Sequence, residues 1–396
     1  MSARGNVPLG LAVLLGVMSM ISPFSIDTFF PSFRTMQAEF GIGPLEMQQA
    51  LTAYLLPFAF TSLLHGPLSD ALGRRPVVLW GIGIYTLASL ACVFAPSYPV
   101  LLLFRAAQGM TAGVGMAVGR AVIRDRFDGA DAQRLMSAVT MVFSAAPALA
   151  PIAGGWIHVW FGWRAVFVFL TLLGAALWLA THRQLAESHP ATRRTPLHAA
   201  TLARISWQIV SDRRFLPIAV GAGLSFASIM LFVGSAPAIV LDHWRLGETQ
   251  FGWLFVAIVL GFIGGAALSG RVAGRWSTRR QVMSGFLLSL AAASAAALLQ
   301  AAFDHPPILL QQLCLCLMAF GVQLSFPPLT LRLLDLFPQT RGSVSSVQSF
   351  VALLIGGTSM GLVAPLLSHS MLLLSLGSIA VTLTAFALWG ISTGWR

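Results

Sequence analysis

Two charged residues stand where an apolar chain has least reason to keep them. Asp27 lies near the end of the run "LAVLLGVMSMISPFSIDTFF", and Arg105 lies within "PVLLLFRAAQGMTAGVGMAVGR". A carboxylate or guanidinium in the middle of a bilayer costs about 2.5–3.5 kcal/mol on insertion scales, so it persists where it is used. Desolvation draws such a carboxyl toward its neutral form, and a neighbouring cation draws it toward the charged form. A group pulled both ways can take up and release a proton near neutral pH, which is what a proton carrier requires. Counting inward at about 1.5 Å per residue puts both groups at similar depth, so they are expected to meet. Two plainer readings remain open: a static structural pair, or an aspartate capping a helix end, since Pro31 follows four residues on.

The elements that must hold these groups follow from composition. Of 396 residues, 57% are hydrophobic and 9% charged, with a mean hydropathy of +0.80, far outside the range of soluble domains. A bilayer core takes about 20 apolar residues in helix, and lipid leaves no other way to satisfy the backbone. Twelve spans are expected, at 8–30, 45–66, 76–95, 98–119, 135–157, 163–182, 214–237, 249–270, 280–302, 306–329, 342–366 and 370–393. The N-terminal run is too long for a signal-peptide core and reads as an uncleaved first helix. The longest gap, 183–213, divides the chain into a bundle over 1–182 and a bundle over 214–396. The fold class is therefore all-α and membrane-spanning, two six-helix bundles with a central cavity between the halves, the arrangement of secondary transporters.

All 24 basic residues are arginine, and the formal net charge is +11. The arginines fall in short gaps between apolar runs, so they report topology and not nucleic acid. Only Arg34, Arg164 and Arg245 fall on one side, and Arg105 within a span; the rest, from Arg4 to Arg396, fall on the other side or at the termini. Both termini are expected to be cytoplasmic. Cys92, Cys314 and Cys316 lie in apolar runs with no metal or disulfide spacing, and neither a metal nor a cofactor is expected. No Walker loop is present, so ATP is not the expected energy source.

The polar stretch "GPLSDALGRRP", Gly66 to Pro76, links spans 2 and 3, and "GRVAGRWSTRRQ", Gly270 to Gln281, links spans 8 and 9. Gly66, Arg74 and Arg75 align with Gly270, Thr278 and Arg279, while Gly274 stands where the first copy has Asp70. The echo points to duplication. The first stretch resembles the G-x-L-x-D-x-x-G-R-[RK] signature of the major facilitator superfamily, met by Gly66, Leu68, Asp70, Gly73, Arg74 and Arg75. "SIDTFFPSF" in span 1, "FRAAQGMTAGVGMAVGRAVIRD" in span 4 and "APALAPIAGGWIHVWFGWRAVF" across spans 5 and 6 resemble the bicyclomycin and chloramphenicol resistance group (Bcr/CflA type) of drug:proton antiporters within it. In span 2, Tyr54 and Phe58 stand where the family has them, but Pro57, Thr61 and Ser62 depart from its pattern.

The resemblance implies a role in proton transfer for Arg105 and associates "PALAPIAGG", with Pro147, Pro151, Gly154 and Gly155, with exporters; the family's usual first glycine is Ala150 here. Asp70 is expected to bind the start of span 11 or an arginine such as Arg124, as a cytoplasmic gate formed with Gly66, Gly73, Arg74 and Arg75. Topology alone is an equal reading for the two arginines. Tyr54 and Phe58, an i, i+4 pair, are expected to line a cavity with Phe226 and Phe326, suited to lipophilic compounds. The expected function is proton-coupled efflux of small amphiphiles by a monomer in the bacterial inner membrane, with no nucleic-acid partner and no enzymatic chemistry. A metabolite exporter or uptake symporter on the same fold, and a non-transporting receptor or scaffold, are the alternatives.

Overall fold

The computed structural model describes residues 9–194 and 198–393; Arg4 and Arg396 lie outside them. Among the described residues, twelve helices are long and apolar enough to cross a membrane: Gly10–Phe40, Pro44–Leu72, Arg74–Val93, Tyr98–Arg126, Asp131–Phe161, Trp163–Gln184, Phe215–Gly234, Glu248–Val272, Thr278–Ala302, Ile308–Leu336, Arg341–Leu367 and Met371–Ser392. These are spans 1 to 12 below. Among the described residues there is no strand, as expected where every backbone group must be satisfied within its own segment.

Two boundaries differ from expectation in ways that bear on function. Span 2 does not end at Gly66; its helix runs on through Pro67 to Leu72, and the next helix begins at Arg74. The stretch read as a loop is thus two helix ends joined by Gly73 alone, at φ 100°, a conformation that an L side chain rarely adopts. Span 1 is also not one helix. It is α-helical over Leu9–Asp27, turns, passes through a 3₁₀ turn at Phe30–Ser32, and resumes as helix over Phe33–Phe40. Pro31 explains the interruption, because it supplies no backbone donor and disfavours helix at the residue before it. Asp27 is therefore the last residue of a helix inside a longer span.

The chain divides into two compact units. The first comprises residues 1–32 and 53–199. Its core is an aliphatic seam in which Leu14, Leu15 and Met18 of span 1 meet Val78 and Ile82 of span 3, Val118 and Val122 of span 4, and Leu135 of span 5. Apolar burial gives little net drive between helices when lipid is equally apolar, so close packing at small residues carries much of the association. Gly154 of span 5 shows this: a Cβ there would overlap the Thr28 carbonyl of span 1.

The second unit comprises residues 33–52 and 200–396. Gln48 Nε2 donates to the Gly234 carbonyl at 2.7 Å and Gln49 Nε2 to the Gly361 carbonyl at 3.3 Å, and Arg34 forms an ion pair with Asp242. Asp212 opens span 7, accepting from the Arg214 N–H at 2.7 Å and from its guanidinium. These bonds hold the Asp212 carboxyl below the usual carboxylate range. Spans 7 and 11 each run into a π-helical turn, Ala238–His243 and Ser359–Val363, irregularities that recur at functional sites.

Candidate functional site

The charged centre of the first unit is built from four spans. Arg105 of span 4 is wholly buried. Its Nη1 donates to the Ser25 carbonyl of span 1 at 3.0 Å and to Gln108 Oε1, one turn along its own helix, at 2.8 Å. The guanidinium carbon lies 4.5 Å from the ring centroids of both Phe29 and Tyr54, so the cation is held between two aromatic faces. Gln108 Nε2 passes the network on to Ser89 Oγ of span 3 at 2.7 Å, and Tyr85 and Ser25 share a hydroxyl hydrogen bond nearby. Close approach is what permits this: at Gly109 a Cβ would overlap the Tyr54 carbonyl, so spans 2 and 4 touch backbone to backbone.

Asp27 is buried, with 5% exposure. It does not bathe in water, as a plain interfacial cap would, although it does end a helix. The expected ion pair with Arg105 is not formed: no ion pair between them appears among the described residues. Arg105 grips the backbone two residues before Asp27, and the helix break begins immediately after it. Asp27 instead sits between two contacts to other spans, the Ser25 carbonyl held by Arg105 and the Thr28 carbonyl packed on Gly154.

The motif of span 5 thus reaches span 1 directly. Gly154 and Gly155 are buried, and Pro147 and Pro151 lie inside one continuous helix, Gly129–Phe161.

At the junction of spans 2 and 3 the outcome corrects the expected partner. Asp70 pairs with Arg74, not with Arg124, and no ion pair joins Asp70 to Arg124 among the described residues. Arg124 is exposed, while Arg74 is 6% exposed. Arg74 sits one turn beyond Asp70 and gathers the polar groups around it. Its Nη1 donates to Ser69 Oγ at 2.7 Å, and its Nε donates to Asp125 Oδ2 at 2.9 Å. Glu187, just after span 6, accepts from the backbone N–H groups of Arg74 at 2.9 Å and Arg75 at 3.2 Å, placing an anion on the positive end of span 3. Arg75 reaches the His182 carbonyl at 2.9 Å. Gly66 lies within the span 2 helix.

The aromatic residues form two groups, each in its own unit. Tyr54 and Phe58 are buried and meet edge to face, with centroids 6.3 Å apart. Phe226 of span 7 and Phe326 of span 10 are 6.2 Å apart, and Phe226 stacks on Phe262 of span 8 at 5.7 Å.

Sequence reasoning passed over Ser25, Tyr85, Ser89 and Gln108. The pairs Tyr85/Ser89 and Arg105/Gln108, four and three apart inside apolar spans, are the signal that marks a shared polar face. The buried His65 ring donates from Nε2 to the Met110 carbonyl at 3.0 Å, just before span 4 is interrupted at Gly113. No cluster of His, Cys, Asp and Glu capable of holding a metal occurs among the described residues.

Among the described residues, twelve apolar helices bury a carboxylate, two guanidiniums and the hydroxyls and amides between them, the make-up of a polytopic membrane transporter. The family model for the Major Facilitator Superfamily matches residues 15–360, and the chain belongs to that family. It is 29% identical over 257 residues to the bicyclomycin resistance protein homolog of Haemophilus influenzae, spanning 65% of this chain and 65% of that protein, just under two thirds of the relative's length. It is 29% identical over 334 residues to the multidrug transporter MdfA of Edwardsiella ictaluri, spanning 83% and 80%. In fold it is similar to a bacterial homolog of the human lysosomal transporter Spinster, with a TM-score of 0.71 at 16% identity over 99% of this chain and 98% of that one.

Proposed function

We propose that this chain exports small lipophilic or amphiphilic compounds in exchange for protons, as a monomer in a bacterial inner membrane with both termini in the cytoplasm. The relatives' names, bicyclomycin resistance and multidrug transporter, support the substrate class. The observation that carries the proton half of the reading is the setting of Asp27. It is a buried acid at a break in span 1, with the residue two before it gripped by Arg105 and the residue after it packed on Gly154.

A change in the charge of Asp27 alters the local field at the Ser25 carbonyl and Arg105 without any ion pair having to break. Protonation then shifts the balance between two packings of span 1 against spans 4 and 5, and the break at residues 28–32 supplies the joint. The aromatic residues Tyr54, Phe58, Phe226 and Phe326 contact substrate, and its release accompanies proton uptake at Asp27. The bundles are 1–182 and 214–396, with 183–213 as cytoplasmic linker. Gly66, Asp70, Gly73, Arg74 and Arg75 act as the inner gate, with Arg124 on its exposed rim. Pro147, Pro151, Gly154 and Gly155 fix how span 5 meets span 1.

The test is purified protein in liposomes under an imposed pH gradient, screened against a panel of lipophilic drugs. Drug-dependent proton movement is expected in the wild type and not in Asp27→Asn. Accumulation of drug on the side that an importer would fill, or unchanged coupling in Asp27→Asn, overturns the reading.

A further inference from the structure

Span 2 buries a histidine at the point where span 4 breaks. His65 is 3% exposed and lies seven residues before the helix ends at Leu72. Its Nε2 is 3.0 Å from the Met110 carbonyl of span 4. A carbonyl only accepts, so Nε2 carries the hydrogen and Nδ1 keeps its lone pair. Nδ1 is buried and has no hydrogen-bond partner among the described residues. It faces Gly113, the residue between the two helices of span 4, Tyr98–Ala112 and Val114–Arg126. A Cβ at Gly113 would stand 3.0 Å from Nδ1 and overlap the Phe58 ring, so the gap beside Nδ1 is too tight for a methyl group.

Bracing two spans does not require this ring. One nitrogen suffices to hold the Met110 carbonyl, and a second buried polar atom without a partner is costly. That second nitrogen is a proton acceptor. In the packing described, a hydrogen on Nδ1 would meet only the Gly113 Cα and the Phe58 ring, so the imidazole is neutral. Of the groups that face it, the Met110 carbonyl, Gly113 and Phe58, none titrates, and among the described residues no charged side chain acts on it. A bend of span 4 at Gly113 changes this. Met110, before the break, stays with Nε2, while the chain from Gly113 onward swings off Nδ1 and lets water reach it. A proton then adds to the Nδ1 lone pair, turning imidazole into imidazolium with no other bond made or broken. Phe58 meets the same Cα, so whatever moves its ring alters what Nδ1 faces.

The depth of the histidine differs from that of the acid. Spans 1 and 2 are joined by residues 41–43 alone and run antiparallel, so Leu9 and Leu72 end them on the same side. Asp27 closes a 19-residue helix from Leu9 and lies about 27 Å from that side, whereas His65 lies about 10 Å from it.

We propose that His65 is a second proton-binding group of the transport cycle, neutral in the packing described here and protonated on Nδ1 when span 4 bends at Gly113. The inference rests on the proton-coupled reading above and adds to it a station at another depth.

The experiment has two readouts. The first is nitrogen NMR of the full-length protein, labelled with ¹⁵N-histidine in lipid nanodiscs, with the His65 signal identified by its loss in His65→Gln. The ring is expected to be a neutral Nε2–H imidazole at pH 8 and cationic at pH 5. Gly113→Ala, whose methyl would press on Nδ1, shifts the same signal and assigns it independently if the glutamine variant does not fold. The second is chloramphenicol-dependent proton movement in liposomes between pH 5 and 8. One titrating histidine contributes up to about tenfold per pH unit, and His65→Gln is expected to flatten that limb to less than about twofold. Glutamine keeps an amide hydrogen for the Met110 carbonyl, so a histidine with a purely structural role leaves the profile unchanged, and that result overturns the proposal. A ring still neutral at pH 5 overturns it as well, whether or not chloramphenicol is transported. A ring that titrates in a wild type that moves no protons defeats the coupled-transport reading and leaves the proton site standing.

Discussion

The two units bury different kinds of polar group. The first buries Asp27, His65, Arg74, Arg105 and His158 together with hydroxyls and an amide. The second, among the described residues, buries only neutral groups: Gln48, Gln281, Gln311, Gln312, Gln348 and a set of serines with Thr382. A buried amide or hydroxyl fixes helix register at modest cost, whereas a buried charge is expensive enough to persist only where its charge is used. On the proposed function, proton chemistry falls to the first unit, and the second is left with shape, aromatic surface and neutral hydrogen bonds.

That division breaks most visibly at Asp27. Asp27→Asn keeps the shape of the side chain and removes the ionisable group, so proton-coupled transport in liposomes is expected to fall by roughly 10² or more, as when a positioned proton-handling group is lost. Substrate binding, read by fluorescence quenching of the detergent-solubilised protein, is expected to stay within about threefold, because the proposed binding residues are aromatic. Loss of binding in step with transport would move Asp27 from coupling to substrate contact. Arg105→Lys comes next. Lysine keeps the charge but not the planar fork that reaches the Ser25 carbonyl and Gln108 together and lies between two rings, so coupling should drop about tenfold while the protein still melts cooperatively. A lysine variant with wild-type coupling would show that charge alone is read.

How much of this could be read beforehand varies with the physics of each feature. All twelve spans were legible, because the bilayer converts run length into structure with no competing outcome. Their ends were less so. Gly66 and Pro67 look like a helix stop, yet spans 2 and 3 run almost into one another, since the polar residues of that stretch satisfy one another through Arg74. Asp27 and Arg105 stood out individually as charges in apolar runs. Their relation did not, because depth follows from counting, but direction depends on helix rotation and on the break after Asp27. For Arg74 a gate residue and a topology signal were equal readings from sequence, and its place as a buried ion-pair centre requires knowing where Asp125 lies. The polar relay through Gln108, Ser89, Tyr85 and Ser25 was masked because isolated hydroxyls and amides are ordinary in membrane helices.

Gly154→Ala tests whether the motif of span 5 acts through packing on the acid's own helix. The added methyl would overlap the Thr28 carbonyl, so spans 1 and 5 must separate, at about 1–3 kcal/mol for overpacking. The expected result is a lowered melting temperature together with weaker coupling. A stability loss with intact coupling would sever the link between this contact and Asp27. Asp70→Asn is expected to do less. Asp125 still holds the Arg74 guanidinium, and the Asp70 carboxylate is 45% exposed, so the loss in stability should be about 0.5–1 kcal/mol. The informative reading is kinetic: a slower transport rate with unchanged substrate affinity marks a gate, and equal loss of both marks mere structural support.

The smallest effect should come from the second unit, and for that reason it is the most severe check on the division. Gln281 of span 9 is buried, donating to Ser269 Oγ at 2.7 Å and to the Leu324 carbonyl at 3.1 Å. Gln281→Leu removes a side-chain tie among spans 8, 9 and 10 but exposes no charge. Hydrogen bonds between membrane helices contribute about 0.6 kcal/mol each, so a melting-temperature change worth about 1 kcal/mol is expected. Leu324 lies inside a continuous helix, so its carbonyl keeps its place in the backbone ladder when the amide is gone. Proton-coupled transport should match the wild type across the pH range in which Asp27→Asn is inactive. If Gln281→Leu abolished coupling while the protein still melted cooperatively, neutral groups of the second unit would be handling protons too, and burial of charge would no longer mark where that chemistry lies.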